Sequence, residues 1–204
     1  MRRRILHGLV LIQTWGDNEE LINVLKEDPH VISIFHIMGR HSYLIDVNFD
    51  MKDQLAQWIL KIKSLKLPSG VPTVISIQSN KVIDVYKQKE AFNLADYQAV
   101  RDNYHMFMMI DNPHHDEKLI SLLGSFQIVY TILHIQGEHS FIVELIADNY
   151  DSFKELLRKT KSLDAVWRIE THEVITVLKY RGQVMDEKGN LSSPRDDIRQ
   201  LYSL

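Results

Sequence analysis

The chain is 204 residues and 23.9 kDa, 45% apolar and 25% charged, with 24 basic against 27 acidic side chains, 10 histidines and no cysteine. This ordinary globular composition excludes a disordered, collagenous, coiled-coil or disulfide-stapled protein. No apolar run approaches the roughly 20 residues of a membrane-crossing helix, and neither half is basic enough to hold a phosphate backbone by charge. Three arginines at residues 2–4 precede an apolar stretch, as in a secretory leader. That stretch contains His7 and Gly8 and meets no small-residue cleavage site, so no leader is expected. A cysteine-free chain fits the cytoplasm.

In chain order, residues 5–14 are rich in branched apolar side chains and stop at Gly16, which predicts a strand. Asn18-Glu19-Glu20 opens a short helix whose Leu21, Val24 and Leu25 share one face. Residues 31–38 predict a second strand, and Gly39-Arg40 the tight turn of a hairpin returning through residues 41–49. Asp50 sits where an N-cap belongs, before the amphipathic run 51–64. Gly70-Val71-Pro72 leads into a last strand, residues 74–86.

The same order then returns. His36-Ile37-Met38-Gly39-Arg40-His41-Ser42-Tyr43-Leu44 recurs as His134-Ile135-Gln136-Gly137-Glu138-His139-Ser140-Phe141-Ile142, displaced by 98 residues. Over the 61 pairs from Ile5/Asn103 to Leu65/Leu163, 19 are identical, far above chance, so the chain is a duplication. After Leu65 the register slips by three, so that Val71 and Ser76 answer Val166 and Thr171. Asp148 takes the place of Asp50 before the run 149–162, and residues 169–180 form the last strand.

Strand, helix, strand, strand, helix, strand is the split βαβ order of the ferredoxin-like unit. The expected fold is α+β: tandem duplicated ferredoxin-like βαββαβ units of the dimeric αβ-barrel or sandwich type. A unit of this size leaves one sheet face bare, and pairing the two copies as a pseudo-dimer is the simplest way to cover it. The expected domains are residues 1–86 and 104–182, joined by a linker at 87–103. A C-terminal tail follows at 183–204, with a short helix over 195–204.

The two hairpins, Gly39-Arg40-His41-Ser42-Tyr43 and Gly137-Glu138-His139-Ser140-Phe141, resemble the Gly-x-(aromatic or His)-Asp-(aromatic) hairpin of the Lrp/AsnC family's ligand-binding (RAM) domain. Leu67-Pro68-Ser69-Gly70-Val71 followed by Ser76, and Val166 followed by Thr171, resemble that family's entry to the last strand. The resemblance implies transcription regulation by a small effector, often an amino acid, bound at Gly39, Arg40, His41, Ser42, Tyr43, Gly137, Glu138, His139, Ser140 and Phe141. It also implies a homo-oligomer or co-assembly with a helix-turn-helix regulator. The chain departs from the family twice. There is no room before the first strand for a DNA-binding head, so no direct nucleic-acid contact is expected. Ser42 and Ser140 stand where the family has Asp, and a hydroxyl cannot give an ammonium a charge-assisted bond.

Six histidines fall in repeat pairs, His7/His105, His36/His134 and His41/His139, which invites metal or proton-transfer chemistry. His7 starts its strand far from His36 and His41, so no metal site is expected. Pro113-His114-His115-Asp116 reads as a solvated loop, and no dinucleotide, phosphate-loop, nucleophile-elbow or zinc-protease motif implies a cofactor. Asp46 and Glu144 read as a solvated strand edge, and Arg40 and Glu138 as partners in salt bridges within or between chains. Trp58, Trp167 and Met106-Phe107-Met108-Met109 read as core. The expected function is therefore a non-enzymatic, effector-binding, oligomerising regulator without its own DNA-binding head and without membrane contact. The alternative is a dimeric αβ-barrel enzyme or binder acting on haem or another tetrapyrrole through the paired histidines, chiefly His36/His134 and His41/His139.

Overall fold

The computed structural model describes residues 6–16, 18–89, 104–113 and 116–185. The arginines at 2–4, most of the linker, His114, His115 and the tail helix lie outside the described residues. In chain order the elements are β1 (Leu6–Thr14), α1 (Glu19–Glu27), β2 (Val31–Met38), β3 (Tyr43–Phe49), α2 (Lys52–Lys63) and β4 (Val74–Gln88). They continue as β5 (Tyr104–Asp111), α3 (Glu117–Ser125), β6 (Val129–Gln136), β7 (Phe141–Ala147), α4 (Tyr150–Lys161), β8 (Arg168–Tyr180) and β9 (Gln183–Val184). This is the predicted α+β duplication of βαββαβ units. Among the described residues no helix is long and apolar enough to cross a membrane.

The chain forms two compact units, Met1–Gln78 with Ile175–Leu204, and Ser79–Val174. In the first, β3 lies between β2 and β1, with β1 also beside β4 and β2 beside β8. Register fixes the faces, because directly opposed residues point the same way. Val10 and Ile12 face Ile45 and Tyr43. All four join Leu21 and Leu25 of α1 and Trp58 and Ile62 of α2 in one apolar core. Leu9 and Leu11, opposite Asp46 and Leu44, take the other face, away from α1 and α2.

The second unit repeats this. β7 lies between β6 and β5, β5 also pairs with β8, and β6 with β4. Met106, Met108, Ile110, Phe141, Val143 and Leu145 pack with Leu119 and Leu123 of α3 and Phe153 and Leu156 of α4.

The helix starts differ by one residue from those expected. Asn149, not Asp148, caps α4, accepting from the Ser152 amide at 2.9 Å. At the matching position Met51 has no oxygen to offer, and Gln54 accepts from the Met51 amide instead. Trp167 is also corrected: it is 70% exposed rather than core, while Trp58 is buried and donates to Asp28 Oδ2 at 3.1 Å.

One lysine closes each unit. The C-terminal turn of a helix leaves carbonyls unpaired and carries a partial negative charge. Lys179, only 4% exposed, donates to the carbonyls of Lys26 and Asp28, each at 3.0 Å, at the C-terminal end of α1. Lys87 donates to those of Gly124 and Phe126 at 3.1 and 3.0 Å, at the C-terminal end of α3. The acceptors are related by the 98-residue displacement. Lys179→Met is expected to lower the unfolding free energy by about 1.5–3 kcal/mol in a urea melt, the range for hydrogen bonds to a charged group. Lys87→Met, at a less buried site, is expected to cost less. Equal midpoints for Lys179→Met and wild type would remove the cap from the account.

Candidate functional site

Both hairpins place their residues alike. Gly39 and Arg40 are exposed, as are Gly137 and Glu138, while His41 and His139 are buried at 5% and 4% exposure. Tyr43 and Phe141 enter the helix-side cores. Gly39 adopts φ of 145°, a region that favours glycine. At Gly137 a Cβ would collide with the amide oxygen of buried Asn80. The serines strap each hairpin to the first strand of its unit. Ser42 N donates to Ile12 O at 2.8 Å, and Ser42 Oγ accepts from Thr14 N at 3.2 Å. Ser140 N donates to Ile110 O at 2.9 Å, and Ser140 Oγ accepts from Asn112 N at 3.0 Å.

The strap sets His139 against Asp111, with Nδ1 2.7 Å from Oδ1. A carboxylate can only accept, so Nδ1 carries a proton, and in the neutral imidazole Nε2 then has the lone pair. Nε2 has Glu170 Oε2 at 3.9 Å, beyond hydrogen-bond reach. Asp111 Oδ2 accepts from Arg168 Nε at 2.8 Å. The same guanidinium meets Glu138 Oε1 at 3.3 Å and Glu170 Oε1 at 3.4 Å. Hydrogen bonding to Asp111 holds Arg168 above the ordinary arginine pKa. Buried His172 has its Nε2 3.9 Å from Glu170 Oε2.

Strand register lays these groups out in rows on the face of the second unit's sheet away from α3 and α4. Arg168 opposes Asp111. Glu170 opposes Met109, which opposes Ile142, which opposes Leu133. His172 opposes Phe107, which opposes Glu144, which opposes Thr131. The middle row is apolar and buried beyond Glu170, so charged groups border an apolar strip.

A second His–acid pair occurs in both units. His7 Nε2 lies 2.7 Å from Asp46 Oδ1, and His105 Nε2 lies 3.0 Å from Glu144 Oε1. Glu144 Oε2 also accepts from Thr131 Oγ1 at 2.8 Å. The expected solvated edge is corrected for Glu144, which is 7% exposed and needs these partners because it is buried. Glu138 meets Arg168 of its own chain.

His36 and His134 lie elsewhere. His36 opposes Tyr43, and His134 opposes Phe141 with ring centroids 5.3 Å apart, so both take the helix-covered faces. Among the described residues no group of three or more His, Asp or Glu side chains is arranged to hold a metal ion. The sequence reading named His139 and Glu138 but missed Asp111, Arg168, Glu170 and His172. One signal was available. In the first copy the corresponding residues are Gln13, Thr73, Ile75 and Ile77, so one face of the last strand changes from neutral to ionisable.

No family model matches this chain, and no curated protein matches it in sequence. Solved structures do match its fold. The siroheme decarboxylase NirDL superposes with a TM-score of 0.64 at 8% identity, covering 91% of this chain and 76% of that one. Its co-complex with an iron-uroporphyrin III analogue gives 0.61 at 8% identity over 87% and 73%. A mutant of the chlorite dismutase from Candidatus Nitrospira defluvii gives 0.53 at 11% identity over 86% and 93%. These are enzymes of siroheme and chlorite chemistry, not amino-acid-responsive regulators.

The Lrp/AsnC reading is corrected accordingly. The RAM-domain assignment, the transcriptional role, the amino-acid effector and the helix-turn-helix partner all rested on the hairpin pattern. That pattern is required by the backbone: glycine for its φ or close approach, serine for the strap, an aromatic for the core. It carries no information about an effector, and both serine hydroxyls are already engaged by backbone amides.

The His7 pair yields a pH test. Burial pushes its pKa down, but the hydrogen bond and charge of Asp46 outweigh burial and leave it above 6.5. A raised folded pKa stabilises below 6.5 and loses that contribution as pH rises through the folded value. The stability difference between wild type and His7→Gln is therefore expected to be larger at about pH 5.5 than at about pH 8.5. Denaturant melts at the two pH values read it, and a constant difference counts against the pair.

Proposed function

We propose that this protein binds an iron tetrapyrrole, as substrate or cofactor, at the edge of its second unit where the hairpin at residues 137–141 meets Asp111 and Arg168, with His139 as the ligand to iron. The observation that carries this reading is the His139 imidazole. Its Nδ1 is tied to Asp111 at 2.7 Å, while Nε2, which has the lone pair in the neutral ring, meets no hydrogen-bond partner among the described residues. A carboxylate behind an imidazole fixes the tautomer and raises the basicity of the outward nitrogen, which suits ligation of iron. The pair His105–Glu144 and buried His172 supply groups that hold or pass protons on the face of the sheet away from α3 and α4.

Fold likeness to the siroheme decarboxylase, whose co-complex holds an iron-uroporphyrin III analogue, supports the same ligand class. An iron tetrapyrrole would supply a metal centre and a conjugated ring, and this chain supplies the ligand and the titratable groups. We place the protein in the cytoplasm, which a cysteine-free chain fits.

Titration with ferric haem and with iron uroporphyrin III, followed by the Soret band, tests the reading. Wild type is expected to shift the band of at least one of them at one equivalent per chain. His139→Ala is expected to lose that shift, His41→Ala to keep it, and Asp111→Asn to weaken binding by about 10- to 100-fold. A flat titration with both compounds, or an unchanged shift in His139→Ala, overturns the proposal.

A further inference from the structure

The His139 imidazole has a carboxylate near each nitrogen, Asp111 Oδ1 2.7 Å from Nδ1 and Glu170 Oε2 3.9 Å from Nε2. A neutral imidazole has one proton to donate, so the two acids compete to set the tautomer. If Glu170 accepts from Nε2–H, the outward nitrogen has no lone pair and cannot bind a metal or take a proton. Arg168 touches both competitors. Its Nε donates to Asp111 Oδ2 at 2.8 Å, and its Nη1 holds Glu170 Oε1 at 3.4 Å. Its Nη2 takes Glu138 at 3.3 Å, so three carboxylates surround one guanidinium. That geometry presses Asp111 onto Nδ1 and keeps Glu170 back from Nε2.

We propose that Arg168 is a positioning residue for His139, acting through Asp111 and Glu170, and that it makes the second unit the one ligand-ready copy of the duplicated fold. The duplication supports this directly. The first unit keeps the glycine, the histidine and the serine strap but has Gln13, Thr73 and Ile75 in place of Asp111, Arg168 and Glu170. Gln13 is uncharged and its amide oxygen accepts from Ser76 Oγ at 3.1 Å, so no carboxylate at that position dictates which nitrogen of His41 is protonated. The retained fold therefore delivers a histidine in both copies and a tautomer-locked histidine in one. The ligand implied for His139 rests on the tetrapyrrole reading; the locking of its tautomer does not.

The test is long-range proton–nitrogen NMR of His139 in the ligand-free protein, at an alkaline pH where the imidazole is neutral, beside haem titration of the same samples. Wild type is expected to show Nδ1 protonated and Nε2 bare. Arg168→Met is expected to bring in the Nε2–H form, and Arg168→Lys to restore wild-type signals in part. Adding Glu170→Gln to Arg168→Met is expected to return the Nδ1–H form, because an uncharged amide competes less well for the proton. A purely structural role for Arg168 would move the melting temperature and leave the tautomer alone. A folded Arg168→Met protein that keeps wild-type His139 nitrogen shifts overturns the positioning role. If Arg168→Met instead alters the tautomer while neither protein binds haem or iron uroporphyrin III, the positioning role stands and the tetrapyrrole reading falls. If Arg168→Met fails to fold, Arg168→Gln takes its place with the same readout: appearance of the Nε2–H form supports the competition, and wild-type nitrogen shifts refute it.

Discussion

The strap made by Ser140 is the interaction on which the site depends. Its amide donates to Ile110 O and its hydroxyl accepts from Asn112 N, so it grips β5 on both sides of Asp111. Residue 139 is thereby set over residue 111 by backbone geometry, before any attraction between imidazole and carboxylate acts. Ser42 grips Ile12 and Thr14 in the same way, on both sides of Gln13. Each such bond is worth only about 1 kcal/mol. Their value lies in placement, since two of them fix a hairpin that otherwise ends in exposed glycine and a charged side chain. Fold delivers the juxtaposition twice; the side chain at position 111 or 13 decides what chemistry it carries.

Much of the fold was legible because the chain is written twice. Neither copy alone separates strand from helix with certainty, but His36 to Leu44 and His134 to Ile142 share one pattern, and both readings had to agree. The site was only half legible. His139 and Glu138 lie inside the repeated motif, whereas Asp111 is 28 residues from its histidine and Arg168 is 57 from its carboxylate. Those pairs form only when β5 lies between β7 and β8. The three-residue slip after Leu65 hid the rest, because Arg168, Glu170 and His172 align with Thr73, Ile75 and Ile77 only once it is applied. His7 with Asp46 and His105 with Glu144 were each visible as preserved residues, yet joining them required the strand register.

The family resemblance misled for a physical reason. Every residue of the Gly-x-His-Ser-aromatic hairpin except the second and third has a backbone or core duty. Gly137 yields to Asn80, Ser140 binds Asn112, and Phe141 packs on the helices. A pattern built from such duties follows the fold into proteins of unrelated activity. Ligand information sits at the residues free to vary, and there the two copies disagree: Arg40 against Glu138, Gln13 against Asp111.

Energetics argue that the charges of the second unit are not there to hold it together. Taking an acid and an imidazole out of water costs more than an apolar pair would, unless the geometry returns it through hydrogen bonds. Glu144 and His105 are nearly excluded from solvent, while His7 and Asp46 keep more than a quarter of their side-chain surface. Beyond these pairs, the second unit carries Asp111, Arg168, Glu170 and His172 where the first does with Gln13, Thr73, Ile75 and Ile77. The first unit is thus an internal control, in which the same strands, hairpin and helix cores stand without the ionisable cluster. Departures from what folding asks for gather where a protein acts. Here they gather on one face of one copy, around the imidazole of His139 and the carboxylate of Asp111.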